Sequence, residues 1–272
     1  MQIFINNKFY PEKAATIPAK DLSLLRGYGV FDFLKTYSGK PFQLQRHMRN
    51  FLISARMLKL KNIPKQSEIE QAVLKTIQRN REMDNMELRL ILTGGVGKSS
   101  TETGNAHFII IPNKITTYPQ SYYEKGIVLK IEIVERPYPT IKHLAYMQNV
   151  FFLNNAKRQG AQEVLFISEK KEICECANSN FFFVKNGALY TAPPDRVYPG
   201  VTRELVLKIA KQNHIPVYEK PIFLKDLKKA DEVFITSTTK EIMPIKEILD
   251  IWKFKNPFKI SSFLHNKFQA LL

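Results

Sequence analysis

The sequence contains little of what defines disulfide-linked, metal-binding or membrane-spanning proteins. Only two cysteines occur in 272 residues, and Cys174 and Cys176 are one residue apart, which is poor geometry for a disulfide. The five histidines form no recognisable set of metal ligands. No apolar run approaches the roughly 20 residues needed to span a bilayer. We therefore expect no disulfide, no metal and no membrane association.

A secretory leader is also missing from the start of the sequence, which has no basic stretch followed by an apolar segment and a small-residue cleavage site. We therefore expect a soluble, cytoplasmic protein. Glycine is scarce, at 11 residues, while 44% of the residues are hydrophobic. A chain of this length and composition can bury a sizeable core and is expected to form two domains.

Acidic residues are few, and 41 Lys and Arg against 25 Asp and Glu give a net charge of +16. Such an excess can indicate a protein that binds nucleic acid. The basic residues are scattered, however, and the sequence has neither an arginine-rich arm nor strands that interleave aromatic and basic residues. We expect no nucleic-acid partner and interpret the charge as an aid to the arrival of anionic cofactors and substrates.

The first part of the chain reads as a small α+β domain over residues 1–114. Alternation predicts a strand over residues 2–6 with a hairpin turn at Asn6 and Asn7. Further strands are predicted over residues 30–37, 87–93 and 107–111. Apolar spacing of three and four predicts helices over residues 47–58 and 67–79, the second opened by a capping box at Ser67-Glu68-Ile69-Glu70.

A linker is predicted over residues 115–126, where prolines and a shortage of apolar residues interrupt the pattern. A larger domain over residues 127–272 follows. Its predicted strands cover residues 128–134, 163–168, 181–184 and 232–236, and its predicted helices cover residues 145–158, 202–212 and 258–270. The alternation of strands and helices indicates a mixed α/β architecture.

Three features of the larger domain carry chemistry. Lys142 offers an amine that can condense with an aldehyde, and Glu175 offers a carboxylate that can hold a ring nitrogen. Two hydroxyl-rich turns follow, Pro199-Gly200-Val201-Thr202-Arg203-Glu204 and Thr236-Ser237-Thr238-Thr239. Turns of this kind can bind a phosphate. Together these groups predict binding of pyridoxal 5'-phosphate (PLP).

The order of these motifs resembles the class IV aminotransferases, the fold type IV family of PLP enzymes. That family includes branched-chain and D-amino acid aminotransferases and 4-amino-4-deoxychorismate lyase. The resemblance implies a two-domain fold like that of D-amino acid aminotransferase, with the active site between the domains, and a homodimer in which a loop of the second subunit completes that site. Its most specific segments are Gly160-Ala161-Gln162-Glu163-Val164-Leu165, Glu175, Asn180-Phe181-Phe182, Pro199-Gly200-Val201-Thr202-Arg203 and Thr236-Ser237-Thr238-Thr239-Lys240-Glu241-Ile242-Met243-Pro244.

By this resemblance Lys142 is the Schiff-base lysine, and Glu175 is the carboxylate that pairs with the pyridine nitrogen. Taken alone, Lys142 could be an ordinary solvated lysine and Glu175 a surface residue at a strand edge. Tyr146 matches a tyrosine that contacts the phenolic oxygen of the cofactor in branched-chain enzymes, although it could instead belong to a helix core.

The phosphate is expected at Val201 and Thr202, which open a helix, and at Ser237 and Thr238. Separately, Thr202 could be an ordinary N-cap and the second turn an ordinary loop. One departure from the family concerns this same group. Three residues after His47 the family has a phosphate-binding arginine, whereas this chain has Asn50. Arg46 lies one helical turn earlier on the same face and is the candidate to replace that arginine, with Asn50 itself as the alternative.

The substrate is expected to contact Phe31 and the backbone N–H of Thr239. The D-amino acid enzymes have a tyrosine in place of Phe31 and an Arg-x-His pair in the loop occupied here by Val96-Gly97-Lys98-Ser99-Ser100. The loss of these groups favours a transaminase for amino acids of branched-chain type. The alternative is 4-amino-4-deoxychorismate lyase, which releases pyruvate and 4-aminobenzoate and which the segment Lys142-His143-Leu144 favours.

An unrelated alternative, an NTPase, rests on Gly94-Gly95-Val96-Gly97-Lys98-Ser99. A phosphate-binding loop needs glycine at position 92, where this chain has leucine, and a helix after the serine. A strand is predicted there instead, so we do not favour this function.

Overall fold

The computed structural model describes residues 1–254 and 257–272, which form two compact units. The first comprises Met1–Thr116 with Ile141–Tyr146, and the second comprises Thr117–Thr140 with Met147–Leu272. Within the described part of the chain, no helix has the length and apolar character needed to cross a membrane.

The first unit is built on a six-stranded sheet. Its strands are β1 (Gln2–Ile5), β2 (Lys8–Pro11), β3 (Gly29–Tyr37), β4 (Lys40–Pro41), β5 (Met86–Thr93) and β6 (Phe108–Lys114). Their order across the sheet is β2-β1-β6-β5-β3-β4, and every neighbouring pair is antiparallel. The helices are α1 (Leu22–Arg26), α2 (Leu44–Met57) and α3 (Gln66–Arg79), and Glu12–Ala14 forms a 3-10 turn.

Strand β5 shows why this sheet buries one face. Leu88, Leu90 and Leu92 are fully buried, whereas Arg89 between them is exposed, as the two-residue period of a strand requires. Helices α2 and α3 cover the buried face with Met48, Phe51 and Val73 among others.

Two local predictions in this unit have different outcomes. The hairpin at Asn6 and Asn7 is confirmed, since both residues have positive φ and join β1 to β2. The capping box at Ser67 is wrong, because α3 begins one residue earlier. Lys65 is the N-cap, and its backbone N–H donates to the Glu68 carboxylate at 2.7 Å.

The second unit contains a ten-stranded mixed sheet. Its strands are β7 (Ile127–Ile133), β8 (Glu163–Ile167), β9 (Glu172–Cys176), β10 (Asn180–Lys185), β11 (Ala188–Thr191), β12 (Val217–Glu219), β13 (Ile222–Phe223), β14 (Glu232–Ser237), β15 (Glu241–Ile248) and β16 (Trp252–Lys253). The order is β12-β11-β10-β14-β15-β7-β8-β9-β13, with β16 paired to β15. Strands β15, β7 and β8 run parallel, as do β11 and β12.

The helices of this unit are α4 (Gln120–Lys125), α5 (Met147–Arg158), α6 (Val201–Gln212) and α7 (Lys259–Gln269), and Leu224–Lys229 forms a 3-10 helix. Strands β7, β8, β10, β14 and β15 contribute fully buried apolar side chains to one core, including Leu129, Leu165, Phe181, Ile235 and Met243. Both units therefore combine helices with sheet, as the predicted fold class requires.

The compact units differ from the predicted domain bounds at two places. The expected linker over residues 115–126 contains helix α4, which belongs to the second unit. Residues 141–146, which include Lys142, were expected in the larger domain but belong to the first unit. Their backbone forms hydrogen bonds with β3, described below, and these bonds account for the difference.

Candidate active site

Lys142 is held by backbone pairing to the start of β3. The Phe31 N–H donates to the carbonyl oxygen of Lys142 at 2.9 Å, and the Leu144 N–H donates to that of Gly29 at 2.9 Å. Val30 and His143 thereby form an antiparallel bridge. A short extended segment thus fixes the lysine backbone in the first unit.

Phe31 and Tyr146, two of the residues predicted from the sequence, accompany the Lys142 side chain. The ammonium of Lys142 lies 4.8 Å from the centroid of the Phe31 ring. The Phe31 and Tyr146 rings meet edge to face, with centroids 5.2 Å apart. Tyr146 precedes α5 and so does not belong to a helix core. The first unit therefore brings Lys142, Phe31 and Tyr146 into one set.

A buried contact between His47 and Asp32 supports this set from within the first unit. Nδ1 of His47 lies 3.0 Å from Oδ2 of Asp32, and both side chains are buried. The other Asp32 oxygen accepts the Phe33 N–H at 2.8 Å. Strand β3 is thus tied to helix α2 one residue after Phe31, and the backbone N–H of Lys142 donates to Ser54 Oγ on the same helix at 3.4 Å.

Helix α2 also carries the two candidates for the phosphate-binding arginine. Asn50 is buried and Arg46 is half-buried. Nε of Arg49 donates to the Asn50 side-chain oxygen at 3.4 Å. All three residues belong to the first unit.

Glu175 belongs to the second unit and is only 3% exposed, which excludes a surface role at a strand edge. Its Oε2 accepts Nδ2 of Asn180 at 3.0 Å and the backbone N–H of Tyr198 at 3.3 Å. Its Oε1 forms an ion pair with the guanidinium of Arg136. Several donors therefore fix the orientation of this carboxylate.

The first hydroxyl-rich turn lies beside that carboxylate. Asn180 Nδ2 also donates to the Tyr198 carbonyl at 2.9 Å, and Gly200, two residues later, is the N-cap of α6. Thr202 is thus the second residue of the helix, and the interpretation of Thr202 as an ordinary N-cap is wrong. Gly200 has no side chain that could cap the helix, so no N-cap side chain occupies the first N–H groups at the positive end of the helix dipole.

The second turn joins β14 to β15 through Thr238, Thr239 and Lys240. Ser237 Oγ accepts the Lys240 N–H at 3.1 Å and lies 3.5 Å from the Thr239 hydroxyl. Thr236 is the register partner of Asn180, so this turn lies at the same end of the sheet as the support of Glu175. The Thr236 hydroxyl is buried and has no hydrogen-bond partner among the described residues.

The predicted site residues therefore fall into two sets. Lys142, Phe31 and Tyr146 form one in the first unit, which also contains Arg46 on α2. Glu175, Val201, Thr202, Ser237, Thr238 and Thr239 lie around Asn180 in the second. The sequence did not predict Arg136 or the backbone of Tyr198, because neither belongs to a local pattern around Glu175.

The cysteines on either side of Glu175 are not arranged as reactive thiols. Burial raises the pKa of the Cys174 thiol, and it raises the pKa of the fully buried Cys176 thiol well above its ordinary value. Among the described residues, no group of three or more His, Cys, Asp or Glu side chains is arranged to hold a metal ion.

The sequence matches the model of the amino-transferase class IV family over residues 29–248. A putative branched-chain-amino-acid aminotransferase from Methanocaldococcus jannaschii is 34% identical over 254 residues, covering 91% of this chain and 88% of the relative. A D-alanine aminotransferase from Listeria monocytogenes is 30% identical over 255 residues, with the same two coverages of 91% and 88%.

A solved structure gives the same result at the level of the fold. The branched-chain aminotransferase of Thermoproteus uzoniensis, solved with norvaline, has a TM-score of 0.90 at 25% identity and covers 99% of this chain and 94% of its own. The fold is that of the type IV PLP enzymes. The chain belongs to the class IV aminotransferases, which depend on PLP, and the predicted family, fold class and cofactor are confirmed.

Proposed function

We propose that this protein is a PLP-dependent amino-acid transaminase in which Lys142 is the amine that binds the aldehyde of the cofactor. The observation that carries the proposal is the buried carboxylate of Glu175, held by Asn180 and by the Tyr198 N–H. A carboxylate fixed in this way can accept a hydrogen bond from a protonated ring nitrogen. When bound, PLP supplies an electron sink for the bonds at the substrate Cα.

The phosphate end of the cofactor has matching groups in the same unit. The N–H groups of Val201 and Thr202 lie at the start of the twelve-residue helix α6, where the helix dipole favours an anion. Thr202, Ser237 and Thr238 add hydroxyls. The buried Thr236 hydroxyl, which lacks a partner among the described residues, also fits a site that takes a polar ligand. Arg46 is proposed as the replacement for the missing family arginine.

The remaining residues act on the substrate and its proton. Lys142 would hold the cofactor through its amine, and the same amine would move a proton at the substrate Cα. The ring of Phe31 lies 4.8 Å from that amine, and Tyr146, whose ring meets Phe31 edge to face, would contact the phenolic oxygen of the cofactor. The backbone N–H of Thr239 binds the substrate carboxylate.

We infer a substrate of branched-chain type in preference to a D-amino acid. Phe31 supports this choice, as does the absence of an Arg-x-His pair in residues 96–100. The relatives are named for both activities, so the substrate must be decided by assay. The lyase alternative is an outcome of the same assay.

A second copy of this chain is the proposed partner. Helix α5 exposes three apolar side chains whose spacing of three and four residues places them on one face, namely Met147, Val150 and Phe151. An exposed apolar cluster of this kind favours a protein interface. We therefore propose a homodimer with α5 in or beside its interface, in a cytoplasmic enzyme.

The test compares purified wild type with Lys142→Ala in the presence of PLP. The wild type is expected to show a visible absorption band that depends on Lys142, and Lys130→Ala, which removes a half-buried lysine from the second unit, is expected to keep it. Absence of the band from wild type, or its persistence in Lys142→Ala, would contradict the assignment.

The same sample then receives L-leucine, D-alanine and 4-amino-4-deoxychorismate in separate experiments. Conversion of the cofactor to its amine form by L-leucine supports the proposed substrate. Conversion by D-alanine alone would reverse the preference. Release of pyruvate with 4-aminobenzoate would identify the lyase.

A further inference from the structure

A second lysine is buried in the second unit, directly after the turn proposed to bind the substrate carboxylate and the phosphate. Lys240 is 7% exposed, and its Nζ lies 3.0 Å from Oε2 of the fully buried Glu163. Neither side chain has a role in the transaminase chemistry proposed above. Burial of an ion pair costs desolvation energy for each of the two charges. We therefore expect this pair to have a structural role through its contacts.

The contacts of the pair form a closed network. Ser179 Oγ donates to the same Glu163 oxygen at 3.3 Å and lies 3.5 Å from Lys240 Nζ. The other Glu163 oxygen accepts the Val164 N–H at 3.0 Å, and the ring of Tyr118 lies 6.0 Å from the ammonium. Burial is the largest single influence and lowers the pKa of Lys240, but the charge and hydrogen bond of Glu163 together with Tyr118 and Cys176 raise it by more, so the net direction is upward.

Both ends of this network lead to the proposed cofactor site. At one end, the backbone N–H of Lys240 donates to Ser237 Oγ at 3.1 Å, which closes the turn that contains Thr238 and Thr239. At the other end, Ser179 precedes Asn180, whose amide holds Glu175. The Ser179 carbonyl also accepts the Cys176 N–H at 2.8 Å, which closes the loop between β9 and β10.

We propose that Lys240 is a positioning residue, and that its ion pair with Glu163 fixes the Ser237–Thr239 turn relative to the Asn180 and Glu175 side chains. The consequence is a fixed separation between the donors to phosphate and substrate carboxylate and the acceptor for the ring nitrogen. Because the ligand spans this distance, its affinity depends on that separation. The inference rests on the proposed function for the identity of the ligand.

The test removes the pair without leaving one charge alone. Single removal of a buried partner leaves an uncompensated charge and can prevent folding, whereas replacement of both partners by uncharged residues of similar size is often tolerated. We therefore choose the double variant Lys240→Met/Glu163→Gln. Lys253→Met/Glu247→Gln is the matched control, since it removes an ion pair with the same charges from the exposed side of β15 and β16.

The first readout needs no cofactor. Hydrogen exchange of the backbone amides in residues 236–241 is expected to be faster in the Lys240/Glu163 double variant than in wild type or in the control. The second readout is the dissociation constant for PLP, expected to rise about tenfold in that variant alone. The third is KM for the amino acid, expected to rise by more than kcat falls.

Two outcomes would overturn this inference. Unchanged exchange and unchanged PLP affinity in a folded double variant would overturn it. Equal changes in the control would assign the effect to net charge and overturn it as well. If wild type fails to bind PLP through Lys142, the proposed function is wrong, whereas Lys142-dependent binding that the double variant retains at full affinity overturns the positioning role alone.

Discussion

The carboxylate of Glu175 forms an ion pair with the guanidinium of Arg136 inside the second unit, where the two side chains are 4% and 10% exposed. A buried charge of either sign is stable only when a partner compensates it. Removal of either charge should therefore destabilise the folded protein, whether or not the cofactor is bound.

Glu175→Gln should destabilise the cofactor-free protein by about 3–5 kcal/mol, because it leaves the guanidinium of Arg136 buried without its counter-charge. The double variant Arg136→Met/Glu175→Gln should recover much of that loss. Urea unfolding of the single and double variants measures the coupling energy between the two residues. If the losses of stability in Glu175→Gln and Arg136→Met simply add in the double variant, the pair does not exist in solution.

Lys130 and Glu132 provide the control, since they form a more exposed pair in the same unit with a separation of 3.0 Å. Their coupling should be about 0–1 kcal/mol. PLP binding by the double variant distinguishes the structural role of Glu175 from its role in holding the cofactor. The Arg136/Glu175 double variant should remain impaired in PLP binding even where its stability approaches that of wild type, because its amide cannot replace the carboxylate at the ring nitrogen.

The sequence predicted those parts of the site that depend on local chain geometry. The turn before α6 and the turn after β14 each follow from a few consecutive residues. Arg136 and the pair of Glu163 and Lys240 did not follow, because their partners are distant in the chain and meet only through the packing of the sheet. A short pattern carries no information about such contacts.

Two misjudged elements show how local signals compete. Ser67 and Glu70 have the spacing of a capping box, but the frame two residues earlier, with Glu68 bonded to the N–H of Lys65, is the one adopted. Strand β15 was not predicted, and it contains Pro244, a residue type that is rare in central strands. Pro244 pairs with Phe234 of β14, and pairing with β7 begins only at Ile245. The missing N–H therefore removes no hydrogen bond from the β7 side.

Gly200 is the subject of a second prediction. A Cβ at this position would overlap the side-chain oxygen of Asn180, which holds Glu175. Gly200→Ala should therefore move the Asn180 amide and raise the dissociation constant for PLP about tenfold. Its backbone φ of −60° suits alanine, so the effect should arise from the contact and not from strain.

The control for Gly200→Ala is the same change made in the background Asn180→Ala. Asn180→Ala alone should weaken PLP binding, and the further change of Gly200 should then have little effect, since the atom it displaces is gone. Titration of PLP into the four proteins measures this non-additivity. Equal effects of Gly200→Ala in both backgrounds would contradict the mechanism.

Asp21 in the first unit gives a prediction about pH. Its carboxylate caps α1 through the Ser23 N–H and accepts Thr93 Oγ1 at 2.7 Å and His107 Nδ1 at 2.8 Å. Burial raises the pKa of Asp21, but the hydrogen bonds with Ser23, Thr93 and His107 together lower it by more, so it lies below its ordinary value. The folded state thus favours the charged form.

A pKa lowered by folding adds stability that is present above the unfolded value of about 3.9 and is lost as the pH falls through the folded value. Asp21→Asn should cost about 1–3 kcal/mol at pH 7, and the difference from wild type should shrink below pH of about 4. Urea unfolding across this range measures it. The exposed Asp84→Asn should change stability by less than about 0.5 kcal/mol, and a pH-independent difference for Asp21→Asn would contradict the role of its charge.

Phe151 decides whether helix α5 forms the proposed interface between two copies of the chain. Its side chain is 59% exposed, beside Val150 at 54% and Met147 at 78%. Phe151→Asp places a charge in that apolar cluster, and burying an unpaired charge at an interface is costly. Light scattering after size exclusion should report a dimer for wild type and a monomer for this variant. Leu74→Asp on α3, where the leucine is 51% exposed, should remain dimeric. A dimeric Phe151→Asp would place the interface elsewhere, and a monomeric wild type would remove the second subunit from the proposed active site.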